Sequence, residues 1–166
     1  MQYLYLKQKV FSIGESFTFL SDQKEPVFTA KGSFFAMPKR YKLFDAVSNT
    51  EIIEITRKFF SWTPTFTITE SKTKQQLFTV KQRFRLGRPR FDISTPAGNY
   101  MIEGELFAHE FDIVDPQGKS IVTVRKKWIS WGDTYEIWAD TSQIPLHVAA
   151  SIVLTFDCAI HSNNSR

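Results

Sequence analysis

Cysteine is almost absent from the sequence. Cys158 is the single cysteine among 166 residues, so the chain cannot form an internal disulfide. A lone thiol in an apolar segment is typical of a reduced, cytosolic protein. The first ten residues, MQYLYLKQKV, also lack the charged-then-apolar layout of a signal peptide. We therefore expect a cytoplasmic location, with peripheral attachment to a membrane left open as a hypothesis.

The motifs of metal sites and catalysis are missing as well. His109, His147 and His161 show no compact ligand spacing with carboxylates or cysteine. There is no Asp-x-Asp-x-Asp-Gly calcium loop, no glycine-rich phosphate loop and no nucleophile elbow. A thiol buried in a helix is normally inert, which disfavours Cys158 as a nucleophile. We therefore expect a protein that is not an enzyme and has no metal or cofactor.

Long apolar runs are scarce, and the one that stands out is Ile144–Ile160, IPLHVAASIVLTFDCAI. It is apolar on nearly every side of a helix and short for a bilayer span, so we expect a buried core helix at about 143–161. Asp140 and Ser142 precede it as capping residues. Four polar or sulfur-bearing side chains share one stripe of the helix: His147, Ser151, Thr155 and Cys158. Its serine and threonine hydroxyls are expected to bond carbonyls one turn back, with a polar path as the alternative.

Aromatic residues are abundant, with sixteen Phe, five Tyr and four Trp, and they recur in a repeat. In each of six units an extended run ends in an apolar residue, which we call the first anchor. A turn follows, and then an aromatic-polar-apolar triplet whose first residue we call the second anchor. The first anchors are Val10, Phe34, Phe59, Phe84, Leu106 and Trp128. The second anchors are Phe17, Tyr41, Phe66, Phe91, Phe111 and Tyr135. Five of the six units keep a seven-residue offset between anchors, which indicates a genuine internal repeat.

Each unit has the pattern of a β-hairpin, with breaker residues at its turn and turn-forming residues between units. Six hairpins give twelve strands in an antiparallel meander, and closing so long a sheet removes its exposed edges. A barrel this wide has an interior that side chains alone do not fill, so the helix is expected to occupy it. The predicted fold is all-β: a closed twelve-stranded antiparallel barrel around a hydrophobic C-terminal helix. It forms one domain, 1–166, with strands at about 2–139.

Three segments resemble the bacterial branch of the LURP-one-related family: Lys7–Ser12 (KQKVFS), Lys126–Tyr135 (KKWISWGDTY) and Phe156–His161 (FDCAIH). That family is similar in fold to the tubby C-terminal domain and the phospholipid scramblases. The resemblance implies the same twelve-stranded barrel around a C-terminal helix. Tubby domains bind phosphoinositide head groups, and scramblases are tied to lipids and calcium, so a lipid partner is implied.

Basic residues are densest in the fourth unit, in a chain of net charge +4. If the first anchors point inward, residues one and three positions before them line the outer wall. Lysine and arginine there suit phosphate oxygens. The predicted phosphate or head-group site comprises Lys81, Arg83, Arg85, Arg88, Arg90, Arg125 and Lys127. The alternative is an ordinary solvated face with cross-strand ion pairs, in which Glu103 and Glu105 offset their neighbours.

Two further sets of residues are ambiguous. Arg57 and Lys126 lie two positions before their anchors, on the presumed inner face, where they either pair with Asp157 or keep their charged heads in water at the rim. The rim alternative is favoured. Tryptophans near strand ends either touch a lipid interface or, as favoured, pack against other side chains. These are Trp62, Trp131 and Trp138.

The functional hypothesis is a non-enzymatic cytosolic barrel that binds anionic phospholipid or phosphoinositide head groups at the membrane surface. The alternative is a protein-interaction or scaffold barrel of unassigned biochemistry. A nucleic-acid-binding regulator is a weaker alternative, because acidic residues interrupt the basic surface. Those acidic residues are Glu103, Glu105, Glu110 and Asp112.

Overall fold

A computed structural model of the chain describes residues 2–11, 14–33, 40–83, 90–96, 98–105, 110–129 and 132–163, and the side chains of these except 7–11, 14–15, 127–129, 132–133 and 160–163. The first six strands are β1 (Gln2–Phe11), β2 (Gly14–Leu20), β3 (Pro26–Ser33), β4 (Arg40–Asp45), β5 (Glu51–Arg57) and β6 (Thr65–Glu70). The next six are β7 (Gln76–Arg83), β8 (Arg90–Thr95), β9 (Gly98–Glu105), β10 (Glu110–Val114), β11 (Ser120–Ile129) and β12 (Gly132–Ala139). The helix α1 spans Leu146–Asn163.

The sheet closes on itself. Every strand is antiparallel to the next along the chain, and β1 completes the ring by pairing with β12, where Leu4 lies opposite Ile137. Closure leaves no edge strand with unpaired backbone groups. The strands alternate between buried and more exposed residues, so one face packs inward and the other forms the outer wall. The predicted closed twelve-stranded antiparallel barrel is confirmed.

The internal repeat is visible in the backbone as well as in the sequence. The turns that link hairpins place Lys24, Asn49 and Lys74 at φ values of 67°, 53° and 60°. A register shift also recurs near the end of the second strand of a hairpin, between β2 and β3, β4 and β5, β6 and β7, and β10 and β11. Four of the six hairpins therefore share a register shift just before the turn that links them to the next hairpin.

The second anchors form a buried aromatic layer inside the barrel: Phe17, Tyr41, Phe66, Phe91, Phe111 and Tyr135. Each lies opposite the residue two positions before the first anchor of its unit: Gln8, Gly32, Arg57, Gln82, Gly104 and Lys126 respectively. In the five units where both side chains are described, a bulky ring thus lies opposite a glycine or a long polar residue. Because all six hairpins share this register, the anchor offset is seven residues in five units, and it is five in the unit whose connection is two residues shorter.

The helix runs through the barrel interior. Residues 148–159 are all buried, and Phe156 contacts the rings of Phe91 on β8 and Phe111 on β10, at centroid distances of 5.2 and 5.5 Å. The helix also packs against β5, β6 and β12. Because every residue from 148 to 159 is buried whichever way it faces, the barrel encloses the helix.

The start of the helix lies slightly later than predicted. Asp140 accepts hydrogen bonds from the Ser142 hydroxyl (2.6 Å) and the Ser142 amide (3.2 Å), which fixes a turn before the helix. The first helical amides, of Val148 and Ala149, bond the carbonyl of Pro145. Helix α1 therefore begins at Leu146, because Asp140 organises the preceding turn and does not cap the helix directly.

Candidate functional site

On one side of the barrel, the end where the two strands of each hairpin join (the hairpin end) differs in charge from the end with the turns between hairpins (the link end). Along β4 to β8, the stretches 40–44, 52–69, 77–83 and 90–94 contain seven Lys and Arg but only Glu54 and Asp92 as acidic residues, and six of the seven cations lie toward the hairpin end. At the link end, the turns at 21–25, 45–51, 70–76, 115–119 and 140–143 contain seven acidic and four basic residues. The described chain thus places a basic surface on one side of one end.

We call six cations of this surface the basic rim: Arg40, Arg57, Lys58, Lys81, Arg83 and Arg90. They come from neighbouring strands, because Arg40 lies opposite Thr56 on β5 and Lys81 lies opposite Thr65 on β6. All of them are exposed except Arg57, which is half-buried. Three successive hairpins therefore contribute positive charge to one continuous stretch of the barrel end.

Three predicted site residues, Lys81, Arg83 and Arg90, belong to the basic rim. Arg83 and Arg90 are cross-strand partners, and like charges directly opposite each other repel unless a counter-charge lies nearby. Asp92 supplies one by pairing with Arg83, whose side chain remains 67% exposed. An ion pair in such exposed surroundings contributes little, so the guanidinium stays available to another anion.

Arg125, also predicted for the site, is held differently. Its guanidinium donates to the carbonyls of Phe111 (3.0 Å) and Val124 (2.8 Å) and to Asp112 (2.8 Å). It lies on β11, separated from β8 by β9 and β10, which carry Glu103, Glu105, Glu110 and Asp112. The structure therefore separates Arg125 from the basic rim and gives it several local acceptors. Its place in a head-group site stays a prediction.

The three other predicted site residues lie wholly or partly outside the described part of the chain. Arg85 and Arg88, within the β7–β8 connection, lie outside the described residues, as does the side chain of Lys127 on β11. Their role in the site also stays a prediction. Since the described ends of β7 and β8 are Arg83 and Arg90, the connection begins and ends in positive charge.

The sequence named Trp62 as one candidate for a lipid interface but did not predict the exposure of Phe59 and Phe60 beside it. We call Phe59, Phe60 and Trp62, between β5 and β6, the aromatic tip. Their exposed fractions are 56%, 95% and 103%, and a shallow concavity lies between their rings. The expectation that the anchor Phe59 points into the barrel is wrong, because β5 ends at Arg57 and the chain leaves the sheet there. The favoured packing role for Trp62 is wrong for the same reason.

The other tryptophans differ from Trp62. Trp138 is half-buried and packs edge-on against Tyr3 across the β1–β12 pair, at a centroid distance of 4.7 Å, which confirms the packing hypothesis for it. Trp131 lies outside the described residues. The sequence signal that distinguishes Trp62 is its neighbourhood, Ser61 to Pro64, where a serine and a proline interrupt the strand pattern.

The inward-facing cations lie near the hairpin end of the barrel. Arg57 and Lys126 are both half-buried, whereas Asp157 is buried on the helix next to Phe156. The contacts of Phe156 with the aromatic layer place Asp157 near the level of the two cations. A pairing of Asp157 with Arg57 or Lys126 stays a prediction.

The polar stripe of the helix has structural partners. The hydroxyl of Ser151 donates to the carbonyl of Val148 and that of Thr155 to the carbonyl of Ser151, both at 2.7 Å, which confirms the expected back-bonding. Cys158 is buried, as expected. Burial lowers the pKa of His147, and the nearby Glu70 carboxylate offsets this only in part. Among the described residues, no three His, Cys, Asp or Glu side chains cluster in a way that would hold a metal ion.

The architecture defines the class of protein: a tubby-like barrel, in which six hairpins enclose a C-terminal helix. Residues 2–157 match the family described as LURP-one-related, and the chain belongs to that family. It is similar to the uncharacterized protein YxjI of Bacillus subtilis (strain 168), with 27% identity over 161 residues that cover 96% of this chain and 94% of that protein. No solved structure matches the chain significantly. Within the part of the chain that the structure describes, we find no helix able to cross a membrane.

Proposed function

We propose that the protein is a non-enzymatic module that binds the anionic head groups of phospholipids at a membrane surface, through the basic rim. The observation that carries this proposal is the concentration of exposed cations on three successive hairpins at one end of the barrel. The acidic character of the link end supports it, because the barrel would then approach an anionic surface end-on.

Two features of the basic rim favour phosphate as the recognised group. Arg83 and Arg90 present two guanidinium groups from adjacent strands, and guanidinium forks match the geometry of phosphate oxygens. The arginines of the Arg40–Glu54 and Arg83–Asp92 ion pairs are 51% and 67% exposed, so each guanidinium can also reach a phosphate. We propose a cytoplasmic location for this activity, as expected for a disulfide-free chain.

Vesicle sedimentation tests the proposal. The protein is mixed with vesicles of phosphatidylcholine alone, with added phosphatidylserine, or with an added phosphoinositide. Binding is expected for the anionic vesicles, weakening as salt rises. Each cation near such a surface contributes roughly 1 kcal/mol, so Arg83→Glu/Arg90→Glu should weaken binding by about tenfold or more.

The matched control is Lys72→Glu/Lys74→Glu, which makes the same charge change at two exposed residues of the link end. It should bind as the unaltered protein does. Equal loss in both variants would indicate an effect of net charge alone. An absence of binding to every anionic vesicle would remove the proposal and favour the scaffold alternative.

A further inference from the structure

The aromatic tip is the densest exposed apolar feature of the described chain. Five large apolar side chains there are strongly exposed, and Phe59, Phe60 and Trp62 are three of them. The other two, Val47 and Met101, lie apart from one another at the link end and on β9. A contiguous exposed aromatic group beside polar residues marks a surface that binds a partner.

Hydrogen bonds within the loop between β5 and β6 fix the conformation that exposes the tip. The Ser61 hydroxyl bonds the Thr63 carbonyl and lies 2.9 Å from the Thr65 hydroxyl, which itself donates to the Thr63 carbonyl at 3.0 Å. The Lys58 amide donates to the Thr65 carbonyl at 2.8 Å, which joins the two ends of the loop. These bonds hold the backbone in a conformation that directs the aromatic side chains away from the barrel.

The loop is also tied to the neighbouring hairpin and to itself. The Gln82 amide on β7 donates to the Pro64 carbonyl at 2.9 Å. The Phe59 and Phe60 rings pack edge-to-face, with their centroids 4.8 Å apart. The loop backbone and the Phe59–Phe60 pair are therefore preorganised, which reduces the conformational entropy lost when the tip is buried.

The charges around the tip identify the kind of partner. Lys58 is exposed in the same loop, with Arg40 on the β4 side and Lys81 on the β7 side. Segments that enter the interfacial layer of an anionic bilayer typically combine tryptophan and phenylalanine with flanking lysine and arginine. Three aromatic side chains bury roughly 150–250 Å² each, less in total than the ~800 Å² per partner of a stable protein interface.

We infer that the aromatic tip inserts into the interfacial layer of an anionic bilayer, while the basic rim binds head groups around it. The inference rests on the proposed function and adds an apolar component to it. Head-group binding alone would lose most of its strength in high salt, whereas insertion adds a contribution that salt does not screen. The tip would also fix the barrel with its hairpin end toward the membrane.

Fluorescence quenching by brominated lipids tests insertion directly. The protein is added to phosphatidylcholine–phosphatidylserine vesicles with bromine on the acyl chains, and tryptophan emission is recorded. Quenching and a blue shift are expected for the unaltered protein. Trp62→Phe should still sediment with the vesicles but lose most of the quenching, because Trp62 is the tryptophan of the aromatic tip. The emission that remains comes from the other three tryptophans.

Sedimentation of Phe60→Ser/Trp62→Ser tests the contribution of the tip to binding. Affinity for anionic vesicles should fall by about tenfold or more. Val47→Ser, which removes an equally exposed apolar side chain at the link end, should bind as the unaltered protein does. Circular dichroism should show that all variants remain folded.

The outcomes separate the two proposals. If the unaltered protein sediments with anionic vesicles, but Trp62 is not quenched and Phe60→Ser/Trp62→Ser binds equally well, insertion is refuted and head-group binding stands. If Arg83→Glu/Arg90→Glu and Phe60→Ser/Trp62→Ser both weaken binding while quenching is present, both proposals are supported. If the unaltered protein binds no anionic vesicle, both are refuted.

Discussion

The outer surface of the barrel carries two arginine–aspartate pairs that the sequence alone does not distinguish. Arg83 on β7 pairs with Asp92 on β8, and their side chains are 67% and 42% exposed. Arg125 on β11 pairs with Asp112 on β10, and their side chains are 40% and 27% exposed. The first pair lies in a surface with excess positive charge, and the second in a surface rich in carboxylates.

The number of partners separates the two pairs further. Asp112 accepts from the Thr123 and Ser120 hydroxyls as well as from Arg125, and Arg125 also donates to two carbonyls. Burial raises the pKa of Asp112, but hydrogen bonds from Thr123 and Arg125 outweigh it and hold the pKa below its ordinary value. An arginine with several local acceptors serves the fold, whereas one with a single exposed carboxylate remains available for a ligand.

The largest expected effect is in the β9–β10 hairpin, next to Arg125. Gly104 has a φ of 114°, and an added Cβ would lie 2.5 Å from the Glu110 carbonyl oxygen and 2.9 Å from the Phe111 Cα. Main-chain atoms cannot move aside easily, so Gly104→Ala should lower the free energy of unfolding by about 2–4 kcal/mol. Urea denaturation measures this.

Gly118→Ala is the matched control for the Gly104 prediction. Gly118 has a φ of 80°, but nothing lies within 4 Å of an added Cβ, so only backbone strain remains. A loss of about 1 kcal/mol is expected. Equal losses in the two variants would show that the close approach of β9 and β10 is unimportant for stability.

Next in size is the contrast between the two aspartates. Asp112→Ala removes one acceptor of the partly buried Arg125 and the shared acceptor of two hydroxyls, and a loss of about 1–2 kcal/mol is expected after allowance for solvent screening. Asp92→Ala should cost less than about 0.5 kcal/mol, because its ion pair is exposed. The same variant should bind anionic vesicles at least as well as the unaltered protein. A larger loss of stability for Asp92→Ala than for Asp112→Ala would contradict the distinction between the two ion pairs.

The pH dependence of stability provides a related test. Because the pKa of Asp112 is lowered in the folded state, its contribution is fully present above the ordinary value of about 3.9 and is lost as pH falls through the folded value. Hydrogen bonds from Ser142 and Lys119 lower the pKa of Asp140 to about 2, with the same sign. Asp112→Asn and Asp140→Asn should each reduce the loss of stability between about pH 4 and pH 2. An unchanged slope in either variant would contradict its assignment.

The smallest expected effect on stability is at the aromatic tip. Phe60 and Trp62 contribute almost no buried area to the fold, since they are 95% and 103% exposed. Phe60→Ser/Trp62→Ser should therefore change the free energy of unfolding by no more than about 0.5 kcal/mol. A loss above about 1 kcal/mol would show that the tip packs against the barrel, and would weaken the case that it serves binding.

The fold could be predicted from the sequence because it depends on periodic patterns of apolar residues. Alternation at the second anchors, such as Phe91 and Ile93, marks the inner face of each strand, and the anchor offset shared by five units reflects the same register in each hairpin. The run at 144–160 is too apolar for a surface helix and too short for a bilayer, which leaves the barrel interior.

The candidate site could be predicted from the sequence only in part. Lys81, Arg83 and Arg90 were found from local charge density, but Arg40 and Lys58 join them only through strand neighbours distant in the sequence. The Phe59-Phe60 pair has the same composition as other anchors, so its exposure depends on where β5 ends. Strand propensity alone does not specify that boundary.

By itself, the sequence determined that six hairpins form a closed barrel around the C-terminal helix, because burial of apolar side chains at regular spacing leaves few other arrangements. Only the tertiary structure decided which cations are engaged by neighbouring groups and which remain exposed, and that the aromatic tip projects from the basic rim. Those outcomes depend on contacts between strands far apart in the chain, and side-chain charge and hydropathy do not encode such contacts locally.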